Sequence, residues 1–358
     1  MRRSIGTEGN HYTLIKTLGE GTFGVAYLAR NLDTKEIVVL KKVKIRGAED
    51  GIDPQTIQEL RQLCEMDHPN IVRYIGAFVH AGTVFIATEY VPYGLLDLIK
   101  SGPNQRPLSA ADIKCIMRQF FSGLNYLHEN WLLHRDLKPA NMLVSDSGIL
   151  KLIDFGYSCD YPSDSADMGD AVTIWYKPPE LLYGAKQVGP ALDMWTAGCI
   201  FAELLLCRPL FPGRTFGEVV QAITNLLGPM VWPGCDHLPG YEQFKDIKPQ
   251  NQIPPLEATF RGFSTDTLDL LAKLLAIDPS KRISAADALM HPYFQVLPEE
   301  TVPSKLPLNK SNKLSIASSL NTGFSALTSR TIFAPGTSLL RAGQLQKREE
   351  AAAAAANQ

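Results

Sequence analysis

Two hydrophobic periodicities divide the chain near residue 90. From Tyr12 to about Thr88, short runs rich in β-branched and aromatic residues alternate with turn residues. The clearest runs are Gly24 to Leu28, Ile37 to Val43 and Val84 to Ala87. Such runs predict strands of an antiparallel sheet. One helix interrupts them. Asp53 is placed to cap it and Pro54 suits its first turn. Ile57, Leu60, Leu63 and Cys64 then recur at helical spacing, with Glu59 bordering their stripe.

Beyond Glu89-Tyr90-Val91 the period becomes helical. Ser109 and Asp112 form a capping box ahead of Ile113, Ile116, Met117, Phe120, Leu124 and Leu127, which share one face. Ala191 to Leu206 is apolar almost all round, predicting a helix buried in the middle of a lobe. Leu268 to Ile277 and Ala285 to Met290 predict two more helices. Gly228 to Pro255, rich in Pro and Gly, reads as a long ordered excursion rather than packed structure.

Past Phe294 the composition shifts. Residues 303 to 358 carry seven Lys and Arg against two Glu, many Ser and Thr, and an Ala351 to Ala356 tract. That predicts a disordered, basic, Ser-rich tail over 295–358, with at most a marginal terminal helix. The organisation read from these patterns is an extension over 1–11 and a folded domain over 12–294. Within the domain, a small sheet lobe runs to about 91 and a larger, mainly helical lobe over about 95–294. The fold class is α+β and bilobal.

Composition narrows the functional classes. A chain of 358 residues is long enough for two cores. Its net charge of -2 gives no sign of a nucleic-acid-binding body. Six cysteines without close CxxC pairing read as reduced, buried thiols. No apolar run follows the first residues, and no stretch approaches the ~18 apolar residues of a membrane span. An intracellular protein without a membrane segment is expected.

The candidate chemistry lies in a succession of motifs. Gly19-Glu20-Gly21-Thr22-Phe23-Gly24 shares its spacing with dinucleotide-binding loops, but those open into a helix. Here Val25-Ala26-Tyr27-Leu28 reads as a strand, so the loop is expected to be a hairpin whose backbone closes over phosphates. Lys41, in the strand Val38-Val39-Leu40-Lys41, is placed to meet the α- and β-phosphates, with Glu59 as its ion-pair partner. Lys42 faces the other way and reads as solvated.

Further on come His134-Arg135-Asp136-Leu137-Lys138-Pro139-Ala140-Asn141 and Asp154-Phe155-Gly156. Asp136 is suited to accept or orient the proton of an attacking hydroxyl, and Lys138 to neutralise charge on a transferring phosphate. Asn141 and Asp154 offer oxygen ligands to Mg²⁺, which keeps few protein ligands beside phosphates. His134 and Phe155 read as core supports.

Together these residues resemble the eukaryotic protein kinase family from about Tyr12 to Phe294. The resemblance implies a Ser/Thr kinase using ATP and Mg²⁺. ATP would be held by the glycine loop with Leu18, Ala26, Val39 and Leu143, and by the backbone of Glu89 and Val91, with Thr88 behind. It implies that Glu180 pairs with Arg282, that Asp193 holds the catalytic loop, and that Thr173 touches Asp136 and Lys138. Asp53 to Leu63 resembles the cyclin-contacting helix of cyclin-dependent kinases, and Gly228 to Pro255 the insert of that wider group. Glu49 to Asp53, Asn130-Trp131-Leu132-Leu133-His134, Tyr183 to Gln187 and Leu306-Pro307 look most like the CDK-activating kinases associated with the general transcription factor TFIIH, the plant type included. A cyclin, an assembly factor and protein substrates follow as partners, other cyclin-dependent kinases or the C-terminal domain of RNA polymerase II being substrate candidates. The resemblance places the protein in the nucleus, with the cytoplasm as the alternative. A scaffold that has lost catalysis, or a cyclin-independent relative of the mitogen-activated type, are the competing readings.

The pattern breaks in one connected place. The activation-loop threonine of the family falls on Met168, and two of the three arginines that bind its phosphate are replaced by Gln58 and Cys159, leaving Arg135. A phosphate needs such charge-assisted partners. Activation without loop phosphorylation is the expectation, with a cyclin ordering the loop. Phe23 also replaces the tyrosine that inhibitory kinases modify in many relatives, Lys177 replaces a usual arginine, and Gly94 stands where a ribose-binding acid is common.

Overall fold

The computed structural model describes residues 4–7, 10–21, 24–43, 54–100, 106–161, 173–254, 256–309 and 330–333. The chain forms two compact units, one of Met1–Pro92, Ile153–Tyr157 and Lys310–Gln358, the other of Tyr93–Leu152 and Ser158–Asn309.

The first unit is built on an antiparallel sheet. Strands β1 (Ser4–Thr7), β2 (Asn10–Gly21), β3 (Gly24–Asn31), β4 (Ile37–Val43), β5 (Tyr74–His80) and β6 (Thr83–Glu89) lie in the order β1-β2-β3-β4-β6-β5, and Arg330–Phe333 pairs beside β5. Helix α1 (Pro54–Glu65) crosses between β4 and β5 in sequence; Asp53, its expected cap, lies outside the described residues. Alternation along β4 decides the two faces of the sheet. Val38 and Leu40 enter a core with Tyr12, Ala29, Phe78, Phe85 and Ala87, in which Phe78 stacks on both Tyr12 and Phe85. Val39 and Lys41 therefore point to the opposite face. The strands run past their apolar runs because ladder hydrogen bonds also recruit polar residues: Arg30 pairs with Ile37, and the Asn31 amide donates to the Glu36 carbonyl.

The second unit is mainly helical, with α2 (Leu95–Lys100), α3 (Ala110–Glu129), α4 (Pro179–Leu182), α5 (Ala191–Leu206), α6 (Phe216–Leu227), α7 (Tyr241–Phe244), α8 (Leu256–Thr259), α9 (Thr265–Leu274) and α10 (Ala285–Met290). Short strands β7 (Tyr93–Gly94), β9 (Met142–Val144) and β10 (Leu150–Leu152) form one ribbon, and β8 (Leu132–Leu133) pairs with β11 (Cys159–Asp160). Ser109, Thr215, Ser264 and Ser284 each cap a helix by accepting an amide of its first turn. At Ser109 the capping box is complete, and Asp112 is also pinned by Arg106. The Ser264 cap starts α9 three residues ahead of the apolar run expected at Leu268. Helix α5 is buried over almost its whole length and ends at Cys207, which adopts a left-handed conformation. Among the described residues no helix is long and apolar enough to cross a membrane.

Two expectations change. The excursion over Gly228 to Pro255 is packed: Met230, Cys235 and Phe244 are buried, and Trp232 and Phe244 both stack on Tyr183. Aromatic residues spaced through a Pro- and Gly-rich stretch supply contacts that regular elements would otherwise make. The expected tail is ordered on the second unit as far as Asn309, and Arg330–Phe333 of the same stretch pairs with β5. Buried Lys114 of α3 donates to the carbonyls of Val296 and Pro298 at 2.6 and 2.8 Å, Arg118 to that of Phe294 at 3.0 Å, and the Thr301 amide to Ala111. Gly148 allows the close approach, since a Cβ there would lie 1.8 Å from the Pro303 carbonyl oxygen, and its φ is +81°. Cationic stems on α3 thus capture backbone that composition alone marks as free.

The second unit is braced by Arg282, whose guanidinium meets both Glu180 oxygens at 2.6 and 2.7 Å and the carbonyls of Ala191, Ala276 and Ile277. Its side chain is 0% exposed. Glu180→Ala strands that charge and is expected to lower unfolding stability by about 3–5 kcal/mol in urea melts. Asp269→Ala, which removes an exposed carboxylate shared by Lys273 and the buried His291 ring, should cost less, about 1 kcal/mol.

Candidate active site

In the first unit the strand register brings Ala26 opposite Lys41, and Val39 opposite Thr88, on the face away from the aromatic core. The Lys41 ammonium reaches Glu59 of α1 at 2.6 Å and Asp154 at 3.1 Å. Burial alone would lower the lysine, but the carboxylates of Glu59 and Asp154 outweigh it and hold its pKa up at about 12. Lys41 is therefore a fixed cation. Burial pushes the Glu59 carboxyl up, and the facing ammonium opposes that rise. Asp154 takes up a left-handed conformation, φ 62°, which costs a non-glycine residue energy and needs surroundings that enforce it.

The glycine loop is described from both sides. Leu18 is exposed, a side chain at Gly19 would meet open space, and Glu20 and Gly21 continue β2. Gly24 has a different reason from phosphate approach: a Cβ there would lie 1.9 Å from the Lys42 carbonyl oxygen of β4. Thr22 lies outside the described residues. At the end of β6 the Glu89 amide donates to the Arg73 carbonyl. Val91 is buried, and among the described residues its amide and carbonyl take no hydrogen-bond partner.

In the second unit the catalytic loop is shaped by one buried carboxylate. Asp193, in the first turn of α5, accepts the His134 amide at 2.9 Å, the Arg135 amide at 3.0 Å and the His128 ring at 3.1 Å. Its burial alone would raise it, but the His128 bond and the other donors keep its carboxyl below the ordinary value. The loop then presents Asp136, 4% exposed. Both Asp136 oxygens meet the Lys138 ammonium, at 3.0 and 2.8 Å, and the Asn141 amide donates to its carboxylate at 2.9 Å and its carbonyl at 2.8 Å. Asn141 thereby spends its NH₂ group inward, while its Oδ1 takes no partner among the described residues. Leu143 is half-buried on β9 beside Gly94.

Thr173 departs from expectation. It lines a recess with Asp136, Tyr176 and Lys177, but among the described residues it makes no hydrogen bond to Asp136 or Lys138. Cys159 is buried, and that burial lifts its thiol to about 11 against the pull of Arg135. A neutral thiol gives a phosphate none of the charge an arginine supplies. Met168 lies outside the described residues.

The model of the protein kinase domain family matches residues 12–294. Cyclin-dependent kinase 7 of Dictyostelium discoideum is 39% identical over 313 residues, covering 85% of either chain. Cyclin-dependent kinase 20 of Homo sapiens is 39% identical over 306 residues, covering 84% of this chain and 87% of its own. The chain belongs to the cyclin-dependent group of serine/threonine protein kinases. The structure of the CAK complex from Chaetomium thermophilum bound to ATP-γ-S contains a chain that superposes with a TM-score of 0.70 at 34% identity, over 83% of this chain and 94% of that one. The sheet unit and the helical unit are thus the two lobes of the protein kinase fold.

Two supports of this kinase were not read from its sequence. His128, at the end of α3, gives its ring to Asp193, and only its position six residues before His134 hinted at it. Tyr176, which lines the recess beside Asp136, donates to buried Glu203 of α5 at 2.7 Å. An acid in an otherwise apolar helix was the available signal.

Lys41→Met leaves Glu59 buried without its strongest cation. Its carboxyl then titrates upward, so the cost of the charged form is felt above that raised pKa and relieved below it. Urea melts should show a loss of about 2–4 kcal/mol at pH 8 and a partial recovery at pH 5. An equal loss at both values would mean that Glu59 is not the stranded group.

Proposed function

We propose that this kinase transfers the γ-phosphate of ATP to Ser or Thr hydroxyls of proteins, with a cyclin seated on α1. The observation that carries the reading is the Asp136 carboxylate, oriented by Lys138 and Asn141 on a loop whose backbone is tied to Asp193. Asp136 orients the acceptor hydroxyl and draws off its proton, a contribution worth about 10²–10⁴-fold. Lys138 lies against that carboxylate, placed to meet the charge of the incoming phosphoryl group. Lys41, fixed as a cation by Glu59, binds the α- and β-phosphates. The Val91 amide and carbonyl, with the Glu89 carbonyl, suit the adenine edge, and Leu18, Ala26, Val39 and Leu143 its faces. The backbone of Gly19 to Gly24 covers the phosphates, and Thr173 positions the substrate beside Asp136.

The donors fit Mg²⁺. The Asn141 Oδ1 and the Asp154 carboxylate are hard oxygen ligands, few in number, as an ion that keeps phosphates and water in its shell requires. When bound, the ion neutralises phosphate charge. Gly94 lacks the usual ribose acid; Asp97, with an oxygen 3.2 Å from where a side chain at Gly94 would begin, is the candidate for that part if the chain shifts.

Ser/Thr-Pro sites are the proposed substrates, and the nucleus the proposed compartment. Met168 and the neutral Cys159 support an activation loop that works without a phosphate. An assembly factor would complete the complex.

Asp136→Ala in the purified complex is expected to lower kcat on a Ser-Pro peptide about 10²–10⁴-fold with the melting temperature unchanged. Wild-type turnover by the variant would overturn the catalytic reading in favour of a scaffold. Phosphatase treatment of the wild-type complex should leave its activity intact; loss of activity on treatment would show that a phosphate is needed.

A further inference from the structure

The root of the activation segment is tied down by Tyr161 in a way the kinase chemistry leaves unexplained. Its hydroxyl donates to the His128 carbonyl at 2.8 Å, its amide donates to the Trp131 carbonyl at 3.0 Å, and its ring lies 5.2 Å from the Trp131 ring, tilted by 34°. The His128 carbonyl belongs to the last turn of α3, where it also accepts the Trp131 amide at 3.1 Å, so Tyr161 and Trp131 meet on one helix-end acceptor. The same residue turns its ring to Asp193, which holds the His134 and Arg135 amides next to Asp136.

Strain marks the connection as a built one. Trp131 and Arg135 both adopt positive φ, 59° and 65°, a conformation that costs bulky residues energy unless neighbours enforce it. The Arg135 amide is held by Asp193, and the Trp131 carbonyl by the Tyr161 amide. Between them, β8 pairs with β11, so Leu133 meets Cys159 and Leu132 meets Asp160 immediately ahead of Tyr161. Every link lies within the helical unit. Burial raises the phenol pKa, so the hydroxyl stays a donor at neutral pH.

We propose that Tyr161 is a positioning residue that does the work of the missing activation-loop phosphate, tying the root of the activation segment through His128 and Asp193 to the loop that carries Asp136. The inference depends on the phosphate-free activation proposed above. A phosphate gathers loop and catalytic strand through arginines; this anchor gathers them through an aromatic contact, a helix-end carbonyl and a buried carboxylate. It needs no modification.

The test uses the kinase purified with its accompanying subunits through a tagged full-length chain, assayed on a Ser-Pro peptide. Tyr161→Phe keeps the ring and loses the hydroxyl bond; kcat should fall about three- to tenfold, with the KM for ATP and the melting temperature unchanged. Tyr161→Ala should lower kcat further and speed amide hydrogen exchange at His134 and Arg135. Wild-type kcat in Tyr161→Phe would overturn the anchor, as would a fall in kcat that merely tracks a fall in melting temperature. Phosphatase treatment of the wild type separates the two ideas. Inactivation on that treatment sinks phosphate-free activation, whereas intact activity beside an unaffected Tyr161→Phe variant sinks the anchor alone.

Discussion

The helical unit depends on a carboxylate with no access to water. Asp193 is 0% exposed, and an ionised group in such a place is costly unless donors surround it. Two backbone amides and an imidazole do so, and each belongs to the machinery around Asp136. The constraint works in both directions. The loop takes its strained course at Arg135 because the carboxylate collects its amides, and the carboxylate stays ionised because the loop supplies them. Lys138 then meets both Asp136 oxygens and Asn141 one of them, so a flexible side chain is held in one orientation.

In the sheet unit, Lys41, Glu59 and Asp154 form a second charge cluster whose members come from a strand, a helix and a distant segment. Its sign is unambiguous, since two acids hold one ammonium well above its ordinary pKa. The strand's alternation makes this possible: Leu40 beside it fills the core, and Lys41 shares the opposite face with Val39.

Departures from the kinase pattern make physical sense as a set. Cys159 replaces a phosphate-binding arginine with a buried, neutral thiol, in the short strand that leads directly into Tyr161. On the phosphate-free activation proposed above, the segment still has to be held at its root. The helix-end carbonyl of His128 and the Trp131 ring are what the fold provides there.

Much of this was legible before any coordinates. The catalytic motifs were visible because phosphoryl transfer needs particular side chains at short, fixed spacings, as in Asp136, Lys138 and Asn141. The strands at Gly24–Asn31, Ile37–Val43 and Thr83–Glu89, α3 with its capping box, α5 and α10 were visible because burial imposes a period on apolar residues. What lay between distant segments was not. Nothing local says that Lys114 will capture the carbonyls of Val296 and Pro298, that Trp232 will stack on Tyr183, or that Thr173 will make no bond to Lys138. Local sequence determined which chemistry this chain carries and which residues must be inside. Only tertiary structure decided who partners whom, because a buried charge or an orphaned carbonyl is satisfied by whatever donor the fold brings within about 3 Å, however far along the chain it lies.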